Sequence, residues 1–154
     1  MNERLELAHL CNEAGQMLLS PVLGDPEMER EFVRLFLSPS GAPCPPWQSV
    51  WAQEGEQARL MGAAHHSALD WYRRFGFAPS NGAEPADHAG MLLLFYAFLL
   101  GREVDEKSTE EFFQQHLTWL DRPGVALSNH SRLDCFRDLG EILIQISSRS
   151  AVLA

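Results

Sequence analysis
Ten consecutive apolar residues, Met91-Leu-Leu-Leu-Phe-Tyr-Ala-Phe-Leu-Leu100, constrain this chain more than any other stretch. A helix built from them has no polar face to offer water, so other elements must surround it, with Leu93, Leu94 and Phe98 packed on all sides. The run is about half of the roughly 20 apolar residues that span a bilayer, and Arg102, Glu103 and Asp105 follow at once. It therefore reads as core, with no direct membrane insertion. A polar elbow precedes it, Glu84-Pro85-Ala86-Asp87-His88. Asp87 is either the N-cap of the helix or, with Pro85 as the first helical residue, an acid of the first turn; both place a carboxylate at the positive helix end. His88 is pulled two ways, since a helix N-terminus disfavours its protonated form while Glu84 and Asp87 favour it. The elbow marks where the helix surfaces, and recognition is expected there.

The rest of the chain is punctuated into further helices. Leu7, Leu10, Cys11, Ala14, Met17 and Leu18 recur at the spacing of one helix face until Ser20-Pro21. Asp25-Pro26-Glu27 is a cap followed by a first-turn proline and acid, and Met28, Phe32, Leu35 and Phe36 form the stripe of a second helix. Four prolines from Pro39 to Pro46, with Gly41 among them, exclude regular structure there. Trp47 and Trp51 follow at i, i+4 spacing, as a lid over the core or as part of a peptide-binding surface. Met61, Ala64, Ala68, Trp71, Tyr72 and Phe75 define a third helix closed by Gly76, after which Pro79 to Gly82 form a turn. Beyond the apolar run, Ser108 and Glu111 read as a capping box for a helix carrying Phe112, Phe113, His116, Leu117 and Leu120, which Pro123-Gly124 breaks. Leu133, Phe136, Leu139, Leu143 and Ile146 line the last helix. With no sustained β alternation, the chain reads as an all-α, single-domain bundle over residues 1–154, about six helices around a buried central helix at 88–101.

Charge narrows the partners. Lys and Arg number 12 against 21 Asp and Glu, a formal charge of −9, which argues against nucleic acid or an anionic membrane and for a cationic partner. Cys11, Cys44 and Cys135 form no CxxC pair and suggest a reducing, cytoplasmic setting. The start, Met1-Asn2-Glu3-Arg4-Leu5-Glu6, lacks the basic and apolar regions of a secretory signal. No Gly-rich phosphate loop, GxSxG or HExxH occurs. His65-His66 point about 100° apart on a helix and cannot easily share a metal. Glu6-xx-His9 is one ExxH where a di-iron bundle needs two with further carboxylates. Neither catalysis, a metal nor a cofactor is expected.

Taken together, Trp71-Tyr72-Arg73-Arg74-Phe75-Gly76-Phe77, then Glu84-Pro85-Ala86-Asp87-His88 before a Leu-rich helix, then His116-Leu117-Thr118-Trp119-Leu120, resemble the TorD/DmsD/NarJ family of redox-enzyme maturation chaperones. The resemblance implies a cytoplasmic, all-helical chaperone, monomeric or a domain-swapped dimer, with no reaction of its own. It would bind the twin-arginine signal peptide of the apo catalytic subunit of a molybdenum-cofactor oxidoreductase and assist cofactor loading and assembly before export. The peptide-binding residues it implies are Glu84, Pro85, Asp87 and His88, with Trp47, Trp51, Tyr72 and Phe75 as the aromatic neighbourhood. Such a leader is cationic and then apolar, so its receptor should set carboxylates beside aromatic or aliphatic surface. The alternatives are a NarJ-like assembly factor that binds the body or N-terminal tail of a non-exported membrane-bound oxidoreductase, and a metal- or nucleotide-binding helical protein.

Overall fold
The computed structural model describes residues 3–20, 24–38, 41–52, 62–78 and 84–149. The expected roles of Pro21, Pro39, Met61 and the Pro79 to Gly82 turn lie outside them. The described residues form eight α-helices: α1 (Glu3–Leu19), α2 (Pro26–Phe32), α3 (Gln48–Ala52), α4 (Ala63–Arg74), α5 (Ala89–Gly101), α6 (Glu106–His116), α7 (Asp121–His130) and α8 (Asp134–Ser147). A π-turn, Val33–Leu37, continues α2, and a 3₁₀ turn, Thr118–Leu120, joins α6 to α7. All six expected helices are present. The short α3 and the separate α7 are additions.

Local chemistry explains most boundaries. Asp25 caps α2 by accepting from the amides of Glu27 (3.1 Å) and Met28 (3.2 Å), with Pro26 in the first turn. Gly76 takes φ +70° after α4, a conformation that only glycine adopts without strain. The capping box at Ser108 is displaced by three residues: Asp105 is the N-cap of α6 and accepts from Ser108 N at 2.9 Å. Pro123-Gly124 does not break a helix either. Pro123 sits in the first turn of α7, where its missing N–H costs no hydrogen bond, and the chain turns at Leu117 instead.

Gly124 is inside α7 because α7 crosses α8 backbone to backbone. A Cβ on Gly124 would stand 2.8 Å from the carbonyl oxygen of Gly140, and one on Gly140 would stand 2.6 Å from that of Gly124. Gly15 of α1 and Gly90 of α5 make the same kind of crossing, at 2.8 and 2.7 Å. Gly140→Ala should therefore destabilise the protein by about 1–3 kcal/mol through overpacking, although alanine is the better helix former. A urea melt that shows equal or greater stability would refute the close crossing.

The central helix α5 runs antiparallel to α1, its most extensive partner. Arg4 near the start of α1 donates to the carbonyl of Leu100 (3.0 Å) in the last turn of α5 and to that of Val104 (2.6 Å) just beyond it, which ties the two helix ends together. Phe95 lies at the centre of an aromatic cluster, 4.9 Å from Tyr72, 5.3 Å from Phe77 and 4.8 Å from Phe112 between ring centroids. Met91, Leu92, Leu93, Phe95, Tyr96, Leu99 and Leu100 are buried. The expectation that Leu94 and Phe98 are packed on all sides is corrected. They are half-buried and, with Ala97, face a groove of about 710 Å³ between α1 and α5. Covering every face of a uniformly apolar helix takes neighbours all round, and α1, α6 and the Tyr72–Phe77 segment leave one side open.

Candidate functional site
The polar elbow is not a surface feature. Asp87 is 0% and His88 3% exposed, and the chain from Cys44 to Ser49 straps across them. Cys44 N donates to Leu35 O (2.9 Å), Ala89 N to Pro46 O (2.7 Å) and Gln48 N to Asp87 O (3.1 Å), while Trp47 and His88 form an isolated antiparallel bridge. Asp87 is not the N-cap of α5. Its Oδ2 turns to the strap and accepts from Ser49 N at 2.6 Å, and His88 caps the helix through Nδ1, which accepts from Gly90 N at 3.0 Å. Pro85 accordingly precedes the helix rather than opening it. The reversal follows from satisfaction of donors: the strap brings a buried amide that only the carboxylate reaches, and the neighbouring imidazole is left to cap.

Other elements hold the elbow from behind. Ala86 N donates to His65 Nδ1 (2.8 Å) and Tyr72 Oη donates to Ala86 O (2.6 Å), both from α4. His116, 1% exposed, bonds Gln48 Oε1 through Nδ1 (2.7 Å) and Ser67 Oγ through Nε2 (2.9 Å), and Gln48 Nε2 donates to Gln115 O (2.8 Å). Burial pushes both His88 and His116 down to about 4, so each ring is neutral at pH 7. Desolvation thus outweighs the neighbouring carboxylates at His88. Three polar atoms in this corner are buried and have no hydrogen-bond partner among the described residues: Asp87 Oδ1, Ser49 Oγ and Trp47 Nε1.

The predicted site residues divide into two groups. Glu84 and Pro85 are half-buried at the mouth of the corner, and Trp47, Asp87, His88 and Tyr72 lie within it. Trp47 packs edge-on against His88, with ring centroids 5.9 Å apart. Trp51 stands at the edge, its Nε1 donating to Pro45 O (2.5 Å) and its carbonyl accepting from Arg122 (2.6 Å). Phe75 belongs elsewhere. It stacks on Trp71 at 6.0 Å, under the guanidinium of Arg74, which lies 3.9 Å from the Trp71 ring. Sequence reasoning missed Gln48, Ser49 and His65. Only His65 left a signal, since it shares the helical phase of Ala68 and Tyr72 and so had to face the core.

Catalytic chemistry has little here to work with. No group of three or more His, Cys, Asp or Glu among the described residues is placed to hold a metal, and burial pushes the Cys11 and Cys44 thiols up to about 12, far from reactive thiolates. No helix among the described residues is long and apolar enough to cross a membrane. What the corner can do is hold a strap shut over an incompletely bonded carboxylate. Asp87→Ala should cost about 1–3 kcal/mol, because Ser49 N then loses its buried acceptor. A thermal melt indistinguishable from that of the parent would show that the strap is not held this way.

The matches to known proteins agree with this architecture. The nitrate reductase delta subunit family model matches residues 4–123. Two relatives, each described as the Tat proofreading chaperone DmsD, come from Salmonella typhimurium and Salmonella typhi. They are 31% identical over 111 residues and 32% identical over 113 residues. In each pair the match covers 71% of this chain and 53% of the relative, so the chain spans about half the length of these proteins. A crystal structure of a candidate redox enzyme maturation protein from Archaeoglobus fulgidus superposes with a TM-score of 0.57 at 18% identity. It covers 97% of this chain and 96% of that one, which is a likeness of fold. On the family match, which takes in most of the chain and the whole E-P-A-D-H corner, this protein belongs to the nitrate reductase delta subunit family.

Proposed function
We propose that this protein is a cytoplasmic chaperone that binds the twin-arginine signal peptide of a molybdenum-cofactor oxidoreductase and assists its cofactor loading and assembly before export. It has no reaction of its own in this reading. The observation that carries it is the half-bonded carboxylate of Asp87 in a chain of net charge −9, buried under the strap that carries Trp47, with Oδ1 unpartnered among the described residues. A guanidinium is the donor that best completes such a carboxylate, and an aromatic side chain alongside suits its flat face. Trp47 and the strap move aside to admit the arginine, while Glu84 and Pro85 meet the peptide at the mouth. His88 holds the start of α5, and Tyr72 holds Ala86, behind the contact. Similarity to relatives described as Tat proofreading chaperones supports the same reading.

Asp87→Asn provides the test, because the amide oxygen still accepts from Ser49 N while the charge is gone. In calorimetry with a leader peptide bearing paired arginines, this variant should lose about 1.5–3 kcal/mol of binding and keep a near-parental melt. The parent's affinity should fall as salt is raised and on replacing the arginines by glutamine. Parental affinity in Asp87→Asn, or indifference to both salt and the arginines, would overturn the assignment. The match to a family described as the nitrate reductase delta subunit brings in a second reading, an assembly factor that binds the body or N-terminal tail of a non-exported membrane-bound oxidoreductase. That reading predicts capture of a tail peptide lacking the paired arginines, with an affinity that Asp87→Asn leaves unchanged.

A further inference from the structure
We infer that the strap over Asp87 is an autoinhibitory lid, held shut by a latch separate from the carboxylate it covers: the side chain of Gln48 docked on His116 and, through it, on Ser67. The inference rests on the leader-binding reading and concerns how that same site is regulated. Asp87 is 0% exposed, so a guanidinium reaches its Oδ1 only after the strap has lifted. Both ends of the strap are anchored elsewhere. Cys44 N donates to Leu35 O (2.9 Å) and Trp51 O accepts from Arg122 (2.6 Å), which leaves residues 45–50 as the part that lifts.

The polar atoms under this part fall into two sets. Trp47 Nε1, Ser49 Oγ and Asp87 Oδ1 are buried without a hydrogen-bond partner among the described residues. Lifting the strap gives all three to water, so closure is opposed there. Gln48 is the opposite case, 7% exposed with both ends of its amide bonded. Its Nε2 donates to Gln115 O (2.8 Å), a carbonyl that can only accept, so the amide has one orientation and Oε1 faces the His116 ring. Oε1 also only accepts. Nδ1 of His116 (2.7 Å) therefore carries the proton, and Nε2 of the neutral ring is left to accept from Ser67 Oγ (2.9 Å). Every donor in this chain of bonds meets an acceptor, and its members come from α3, α6 and α4. The latch thus pins the strap to the helices behind the elbow and offsets the unpartnered atoms under it.

Gln48→Ala removes two bonds of the latch and keeps the one from Gln48 N to Asp87 O. It should raise the open fraction, and with it the affinity for the paired-arginine leader peptide, about tenfold. In stopped flow the gain should lie in the association rate with a parental dissociation rate, because the latch is already open in the complex. Ser67→Ala, at a half-buried position where folding is little at risk, frees the ring to change tautomer and should give a smaller gain of the same kind, about twofold. Loss of a merely structural hydrogen bond would lower the affinity or leave it unchanged. Parental or weaker binding by both variants, or a gain carried by slower dissociation, overturns the lid while leaving the leader reading intact. In the parent, Ser49 N and Ala89 N bond across the strap, and their amide exchange should be at least about tenfold faster than that of Phe95. Equal rates overturn the lid as well. Failure of the parent and both variants to bind the peptide sinks the leader reading itself, and the lid with it.

Discussion
Phe95→Ala should lower the unfolding free energy by about 3–5 kcal/mol, the usual cost of emptying an aromatic site in a packed core. Phe95 is 0% exposed and its ring meets those of Tyr72, Phe77 and Phe112 within 5.3 Å between centroids, so no mobile neighbour is available to collapse into the space. Leu94→Ala, one position earlier in the same apolar run, should cost only about 1 kcal/mol, because that side chain already borders the groove. The contrast is the point of the experiment. Urea melts of the two variants with equal losses would mean that the groove is closed in solution and that α5 is covered on every side.

Stability should fall as pH drops from about 6.5 to about 4. His88 and His116 each have a folded value of about 4 against an ordinary value of 6.5, in both cases because burial penalises the charged ring. Between those limits the unfolded chain binds the proton and the folded one does not, so acid favours unfolding. The contribution of each neutral ring is fully present above about pH 6.5 and is lost progressively toward pH 4, on the order of 3 kcal/mol per ring at 1.36 kcal/mol per pH unit. Glu31 acts lower on the scale. The hydrogen bond from Arg34 holds its carboxyl below the ordinary 4.5, so its share is present above that value and lost only as pH falls further. His116→Gln should flatten the slope between pH 6.5 and 4, whatever it does to stability at pH 8. A parental slope in that variant would mean that the ring is not buried in neutral form.

The corner shows why burial could not be read from polarity. Glu84-Pro85-Ala86-Asp87-His88 has the composition of an exposed loop, and in isolation a helix start with an acid and a histidine would be solvated. Its burial depends on Cys44 to Ser49, some forty residues earlier, whose backbone donors and acceptors need partners once the strap is laid across the core. That pairing exchanged the expected roles of Asp87 and His88. It also makes Asp87 a folding residue as well as a candidate recognition residue, which is why alanine and asparagine at this position test different things.

Helix existence and type were legible in the chain because they depend on local periodicity and on short-range caps. The stripes of α1, α2, α4, α6 and α8, the Asp25-Pro26 start and the Gly76 stop needed no partner element to be recognised. The central place of α5 was equally plain, since ten apolar residues cannot face water. Which of those ten would be left uncovered was decided only by the tertiary structure. Hydropathy specifies that a side chain avoids water but not which neighbour arrives, and the approach of α1 is set by Gly15 meeting Gly90, a backbone contact between residues far apart in the chain. The same holds for Gly124 in α7. Read locally it ends a helix, and only the crossing with Gly140 requires a residue without a side chain there.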